Sequence, residues 1–266
     1  MNIRITFIAL GLVLFIFGNS VAEMTGRQIM EKQEELHTAN TEVAEKIMIL
    51  ANMDGEAKEK RLLKRWSKEY EDGASKYLLV FTDPADIRGT ALLTWENIGA
   101  ENDQWLYLPA QKRMRRIAQG SKKNYFMGTD FTYEDMDPED LDSFEYKVLR
   151  SEKEQGRDAW VVEAVPATRE KARESGYSKR LMWIDKENFI TLKIEFYDRR
   201  EELAKTQVNA KFENVGGTVW RPMAEQMNNF KEEHKTAVGV KSMEIDIPLD
   251  DEVFTERFIL TGKHLR

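Results

Sequence analysis

Residues 41–53 read Thr41-Glu-Val-Ala-Glu-Lys-Ile-Met-Ile-Leu-Ala-Asn-Met53, and the dipeptide Asp54-Gly55 follows them directly. The alternation of apolar and polar residues predicts a β-strand. Its apolar face is expected to carry Val43, Ile47, Ile49, Ala51 and Met53. Asp-Gly is a strong hairpin signal, because glycine tolerates the positive φ that the turn requires. The charged segment 57–70 is therefore predicted to pair with 41–53 as an antiparallel strand.

The same pattern recurs along the rest of the chain. Further strands are predicted at 76–82, 91–96, 104–109, 113–118, 145–152, 159–165, 178–184, 190–197, 203–213, 218–228 and 236–247. Short strands at regular spacing favour a barrel or a strongly curved antiparallel sheet over a parallel α/β fold. Thr25 and Gln28 fit a capping box and predict a helix over 26–38. The acidic segment 129–142 is expected to form short helical turns exposed to solvent.

Several predicted strands are apolar on both faces. In the third strand, Tyr77, Leu79 and Phe81 share one face, while Leu78 and Val80 share the other. One uninterrupted apolar stripe is expected from Ile190, Leu192, Ile194 and Phe196. Two apolar faces require cover from helices, loops or a ligand. The pattern therefore leaves two interpretations open, an ordinary core and a hydrophobic cavity.

The first 22 residues have the layout of a secretory signal peptide. Arg4 precedes an apolar run, 5–17, and the small residues Ser20 and Ala22 stand at the −3 and −1 positions of a cleavage site. A spanning helix needs roughly 20 apolar residues, which this run does not reach. We therefore expect cleavage after Ala22 and a periplasmic protein; the alternatives are an uncleaved anchor and a buried helix.

Composition excludes several classes of site and partner. The chain has no cysteine, which excludes a lipid anchor on cysteine, disulfides, thiolate metal ligands and cysteine nucleophiles. Removing residues 1–22 takes away one positive charge and changes the formal net charge from −7 to −8. Such an acidic chain is unsuited to nonspecific nucleic-acid binding. With no linker or repeat, residues 23–266 are expected to form a single domain.

No motif predicts a catalytic residue, a metal site or a cofactor. The three histidines, His37, His234 and His264, are far apart in sequence, and neither a G-x-S-x-G elbow nor a phosphate-binding glycine loop occurs. The acidic stretch 134–142 invites a calcium interpretation but lacks the glycine of an EF-hand loop. A solvated acidic loop is the preferred interpretation.

A basic cluster occupies one short predicted strand. It consists of Lys112, Arg113, Arg115 and Arg116. One interpretation is a solvated strand end. The other is contact with lipid phosphates or an acidic partner, since guanidinium groups bind such anions through two hydrogen bonds.

A distinctive order of motifs fills the central part of the chain. It runs Phe81-Thr-Asp-Pro-Ala-Asp-Ile-Arg-Gly-Thr-Ala-Leu-Leu93, Asp103-Gln-Trp-Leu-Tyr-Leu-Pro109, Arg113-Met-Arg-Arg-Ile-Ala118, Phe126-Met-Gly-Thr-Asp-Phe-Thr-Tyr-Glu-Asp135 and Tyr177-Ser-Lys-Arg-Leu-Met-Trp-Ile-Asp185. This order resembles the outer-membrane lipoprotein-sorting protein family of LolA-like periplasmic carriers. It looks most like the longer branch associated with exporters of the resistance-nodulation-division (RND) type. The resemblance covers roughly residues 26–260.

The resemblance implies a mainly β fold with some α-helix, an incomplete, strongly curved antiparallel β-barrel whose open side is plugged by helices. Its apolar cavity would receive acyl chains of lipoproteins or lipids. The implied partners are an inner-membrane transporter, of RND type for this branch, and an outer-membrane acceptor. The residues expected to line the cavity are Leu79, Phe81, Leu93, Trp95, Leu106, Leu108, Phe126, Trp183, Leu192, Ile194 and Phe196.

Headgroup or partner contact is assigned to Arg113, Arg115 and Arg116. No catalytic chemistry is expected of such a carrier. Two alternatives to a carrier remain. The chain could be a non-catalytic interaction subunit of an RND-type export complex, or a lipid hydrolase that uses carboxylates such as Asp130 and Asp135.

Overall fold

The structure, a computed structural model, describes residues 23–265. The predicted signal peptide and its cleavage point lie outside the described residues. The described residues form thirteen strands, each at a predicted segment: β1 Thr41–Asn52, β2 Ala57–Glu69, β3 Ser75–Asp83, β4 Ala91–Trp95, β5 Asp103–Leu108, β6 Arg113–Arg116, β7 Phe144–Glu154, β8 Arg157–Pro166, β9 Tyr177–Asp185, β10 Thr191–Asp198, β11 Leu203–Gly216, β12 Val219–Asn229 and β13 His234–Ile245. The helices are α1 Gly26–His37, α2 Arg169–Glu174 and α3 Glu256–Leu260.

All thirteen strands belong to one open antiparallel sheet. Their order is β6-β5-β4-β3-β2-β1-β13-β12-β11-β10-β9-β8-β7. Strands that follow one another in sequence are therefore neighbours in the sheet, except β6 and β7, and the first strand pairs with the last, β1 with β13. The sheet is strongly curved and does not close. The expected incomplete antiparallel barrel is thereby confirmed.

The connection between β6 and β7 differs from the other connections because it joins two strands that are not neighbours in the sheet. These two strands are the opposite edges of the sheet, and residues 117–143 join them. This plug segment, residues 117–143, runs through the concave side and places Phe126, Phe131 and Tyr133 in the core. Phe126 stacks on Phe81 with ring centroids 5.7 Å apart. The plug is thus irregular chain, with short 3-10 turns in place of long helices.

Helix α1 covers another part of the concave face. Its predicted capping box is present, since Thr25 Oγ1 accepts from the N–H of Gln28 and Gln28 Oε1 accepts from the N–H of Thr25. Ile29 and Met30 are buried against the strands β8 and β9. Gly26 is required here, because a Cβ would lie 2.7 Å from the backbone of Tyr146.

Part of the convex face is covered by the end of the chain, which the sequence pattern did not predict. Val253, Phe254 and Ile259 pack on Leu78 and Val80 and are themselves buried. A short 3-10 turn at Asp251–Phe254 and helix α3 form this cover. The two apolar faces of β3 therefore have separate protein partners.

The predicted face of β1 is wrong. Ala44, Met48 and Leu50 are buried, whereas Val43 and Ile47 are only half-buried. A bulge between Glu45 and Lys46 adds to the irregularity. The prediction failed because it placed the charge of Glu42 on the solvent side, whereas the fold buries Glu42 on the concave side.

The prediction of a solvated acidic loop is also wrong for the carboxylates that hold the plug. Asp135 is 3 % exposed and accepts from Lys205 Nζ at 2.5 Å. Asp137 is bound to Lys122 at 2.5 Å, and Glu139 accepts two hydrogen bonds from Arg180 at 2.7 and 2.8 Å. These ion pairs fasten the plug to itself and to β9 and β11.

We predict that Lys205→Met destabilises the protein by about 3–5 kcal/mol, because it leaves the carboxylate of Asp135 buried without a cation. The free energy of unfolding in urea measures this. The control is Lys153→Met, whose partner Asp158 lies at 3.1 Å with both side chains about 70 % exposed. That change should cost less than about 1 kcal/mol. Equal effects of the two substitutions would contradict the role given to the buried pair.

Candidate ligand site on the concave face

A cavity of about 310 Å³ lies on the concave side, between the plug and strands from the middle of the sheet. We call it the inner cavity. Its apolar lining comes from β1, β2, β3, β13 and the plug: Met48, Leu63, Leu79, Phe131, Met136, Val238 and Met243. Methionine adapts its shape readily, which suits an irregular apolar ligand.

A second cavity of about 670 Å³, which we call the outer groove, adjoins the first. It lies between α1, the ends of β2 and β3, and residues 138–141 of the plug. Its lining is mostly polar. Both spaces are lined by Glu42, Arg65, Tyr77, Pro138 and Arg221, which therefore form the boundary between them.

The boundary contains one carboxylate and two guanidinium groups. Glu42 accepts from Arg65 Nη1 at 3.1 Å and from Arg221 Nε at 2.8 Å, and its side chain is 4 % exposed. Although burial acts in the opposite direction, the two arginines hold the pKa of Glu42 below its usual value. The Arg65 guanidinium also lies 4.9 Å from the centre of the Tyr77 ring. The cluster carries one excess positive charge.

The outer groove carries carboxyl groups without an ion-pair partner among the described residues: Glu34, Glu69 and Glu96. Burial raises the pKa of each of the three. The effect is largest at Glu96, whose pKa rises to about 7 even though the Ser75 N–H donates to it. The charge of Glu34 contributes to that rise.

Seven of the residues predicted to line a cavity lie on the concave side. They are Leu79, Phe81, Leu106, Leu108, Phe126, Ile194 and Phe196. Leu79 lines the inner cavity. Ile194 and Phe196 line a smaller space of about 250 Å³ beside the plug. The other four pack in the protein core around the plug.

The remaining four predicted lining residues lie on the opposite face. Leu93 and Trp95 pack under the C-terminal cover, and Trp95 Nε1 donates to the backbone oxygen of Phe254 at 2.9 Å. Trp183 and Leu192 belong to a second convex cluster. The structure does not bring these four together with Leu79.

A bulge in β10 explains the placement of Leu192. Thr191 pairs with Ile184, but Lys193 pairs with Trp183, so Leu192 is an extra residue in the strand. Leu192 and Lys193 consequently occupy the same face, and the side-chain alternation shifts by one residue. The expected uninterrupted stripe is wrong, because Leu192 lies opposite to Ile194 and Phe196.

The basic cluster lies on β6, an edge strand of the sheet. Arg113, Arg115 and Arg116 are exposed. Arg116 forms an ion pair with Asp103, and Arg115 stands opposite Leu106. None of the three lines the inner cavity or the outer groove.

The carboxylates considered for a hydrolase have structural contacts. Asp130 accepts from the Thr236 hydroxyl at 2.7 Å and lies 2.8 Å from His234 Nδ1. Asp135 accepts from Tyr177 at 2.7 Å in addition to Lys205. Both groups are thereby engaged in holding the plug.

Sequence analysis missed Glu42, Arg65 and Arg221. Their signal is weak, since Arg65 is one of several basic residues in the charged segment 57–70. Within residues 23–265, no three His, Asp or Glu side chains are grouped so as to hold a metal ion. In the same range no helix has the length and apolar character needed to cross a membrane.

Comparison with known proteins places the chain in a family. A family model described as "Uncharacterized protein" matches residues 73–261. A Vibrio parahaemolyticus domain described as that of an outer membrane lipoprotein-sorting protein is 32 % identical, with a TM-score of 0.82 over 88 % of this chain and 98 % of that one. No curated protein matches in sequence.

Two further solved structures are similar. A DUF1329 family protein from Desulfovibrio piger is 27 % identical, with a TM-score of 0.81 over 88 % of this chain and 97 % of that one. A LolA superfamily protein from Nitrosomonas europaea shares the fold at 23 % identity, with a TM-score of 0.69 over 89 % and 100 % of the two chains. The chain belongs to the outer membrane lipoprotein-sorting, LolA-like family, which confirms the family given above. Its assignment to the branch associated with RND-type exporters stays a prediction.

We predict that Glu96→Gln stabilises the protein at about pH 8 by on the order of 1 kcal/mol, after discounting for solvent screening, and leaves stability unchanged at about pH 4. The pKa of Glu96 is raised in the folded state, so folding becomes less favourable as pH rises from about 4.5 to about 7. Glutamine keeps the acceptor for the Ser75 N–H. Urea unfolding at the two pH values measures the difference.

The control is Glu101→Gln in an exposed loop, which should change stability at neither pH. A Glu96→Gln effect that is the same at both pH values would contradict the assignment.

Proposed function

We propose that this protein is a soluble periplasmic carrier, a single-domain chaperone that binds acyl chains of lipids or lipoproteins. The observation that carries the proposal is the inner cavity, a space of about 310 Å³ between the curved sheet and the plug, about half of whose lining is apolar. Family membership supports it, because a relative at 32 % identity is described as a lipoprotein-sorting domain.

The physical reason for such a carrier is the exposure of methylene groups to water. Each buried methylene is stabilised by about 0.8 kcal/mol, so an acyl chain requires an apolar enclosure to cross an aqueous compartment. The predicted signal peptide and the absence of cysteine fit a diffusing carrier. Cargo would pass from an inner-membrane transporter to an outer-membrane acceptor. An RND-type exporter is the transporter we expect.

A second candidate is a non-catalytic interaction subunit of such an export complex. Exposed apolar side chains at one end of the sheet favour it, since Met53, Leu203 and Phe230 are 36–44 % exposed and lie in or beside hairpin turns. The Phe230 N–H donates to the Ala204 oxygen, so two of these turns are adjacent. The exposed edge-strand arginines, Arg113 and Arg115, offer a second contact surface.

We predict that the protein binds saturated fatty acids with affinity that rises about tenfold for every two methylenes, until the inner cavity is filled. Displacement of a fluorescent fatty acid by laurate, myristate and palmitate measures this. Leu79→Phe should lower the affinity for palmitate about tenfold, because the larger ring occupies the inner cavity.

The matched control is Leu149→Phe, the same substitution at a side chain 39 % exposed on the edge strand β7. It should leave affinity unchanged. An apo mass in native mass spectrometry together with no probe binding would contradict the carrier and favour the interaction subunit.

A further inference from the structure

The two adjoining cavities form three zones of different chemistry. The inner cavity carries an apolar patch formed by the seven side chains named above, the boundary carries two guanidinium groups, and the outer groove carries carboxyl groups. Resting on the carrier function proposed above, we propose that the cargo is a phospholipid with an amine headgroup. Its acyl chain occupies the inner cavity, its phosphate binds Arg65 and Arg221, and its ammonium group faces the outer groove.

Charge in the inner cavity is balanced everywhere except at the boundary. The other charged residues of its lining are paired: Lys46 with Glu225, Asp135 with Lys205, and Asp137 with Lys122. Arg65 and Arg221 share the single carboxylate of Glu42. One positive charge therefore remains next to the apolar zone, which matches the single negative charge of a phosphodiester.

The two arginines also retain hydrogen-bond donors. A guanidinium group has five N–H bonds. Arg65 donates from Nη1 to Glu42, and Arg221 donates from Nε to Glu42 and from Nη1 to the Trp220 oxygen at 3.1 Å. Within the described chain their other N–H groups have no partner, so they can bind phosphate oxygens. Partly exposed at 30 % and 22 %, both side chains are accessible from the cavities.

The outer groove lies on the far side of this boundary from the apolar zone. Glu34, Glu69 and Glu96 line it and have no ion pair among the described residues. Glu34 lies on α1, whereas Glu69 ends β2 and Glu96 directly follows β4, so these carboxylates come from the helix and the sheet on either side of the groove. A purely anionic headgroup would be repelled here, and an ammonium group next to a phosphate would be stabilised.

The test compares palmitoyl lysophospholipids that differ only in headgroup, using native mass spectrometry and displacement of a fluorescent fatty acid from the full mature chain. We expect lysophosphatidylethanolamine to bind at least about tenfold more tightly than monopalmitoylglycerol and about fivefold more tightly than lysophosphatidylglycerol. Arg65→Gln should lower the affinity for both phospholipids to that of monopalmitoylglycerol, whereas Arg113→Gln on the edge strand should not.

Glu69→Gln combined with Glu34→Gln should remove the preference for ethanolamine and leave the binding of lysophosphatidylglycerol intact. Arg65→Lys keeps the positive charge at the boundary and should retain partial phospholipid binding. That result would show that the loss of binding in Arg65→Gln does not come from misfolding. Equal affinity for monopalmitoylglycerol and the ethanolamine lipid, or tighter binding of lysophosphatidylglycerol, would overturn the inference while leaving the carrier function standing. Failure of every palmitoyl probe, fatty acid included, would instead overturn the carrier function and the inference together.

Discussion

The buried ion pair between Asp135 and Lys205 determines how the rest of the concave side is arranged. The connection between β6 and β7 must join the two edges of an open sheet, and this chain makes it through the interior. An irregular segment inside a sheet has polar backbone groups that need partners. Lys205 supplies one such partner, since its Nζ donates to the backbone oxygen of Asp130 as well as to the Asp135 carboxylate. The plug is therefore fastened by charge as well as by its buried aromatic rings.

Because the plug is held in this way, the concave side is only partly filled. Phe126 and Tyr133 complete the core near β3, while Phe131 and Met136 leave the inner cavity beside β1 and β13. The charged boundary at Glu42 then lies between the apolar patch of the inner cavity and the polar outer groove. This arrangement is one that an amphiphile can occupy along its whole length, which a uniformly apolar cavity could not offer. In the proposed binding mode, it selects a headgroup as well as an acyl chain.

The strands could be predicted from the sequence because alternation and turn residues are local signals, as at Asp54-Gly55. Which face of a strand is buried depends on partners distant in sequence. In β1 the buried face is the one that carries Glu42, whereas the pattern places that charge in solvent. In β10 the bulge at Leu192 shifts the alternation, so that Leu192 lies on the opposite face from Ile194. The C-terminal cover could not be predicted, since Val253 and Phe254 sit in a short acidic segment with no periodic pattern. The arginines of the boundary lie on β2 and β12, which are far apart in sequence and are separated in the sheet by β1 and β13, so only the curved fold brings them to one cavity.

The central claim is that an acyl chain occupies the space between the plug and the middle of the sheet. A crystal structure of the protein with a terminally brominated fatty acid tests this most directly, because the anomalous signal of bromine locates the chain end. We expect the bromine inside the inner cavity, next to Leu79 and Phe131, with the carboxylate near Arg65 and Arg221. Bromine found only on the protein surface, or on the convex side near Leu93 and Trp183, would contradict this account.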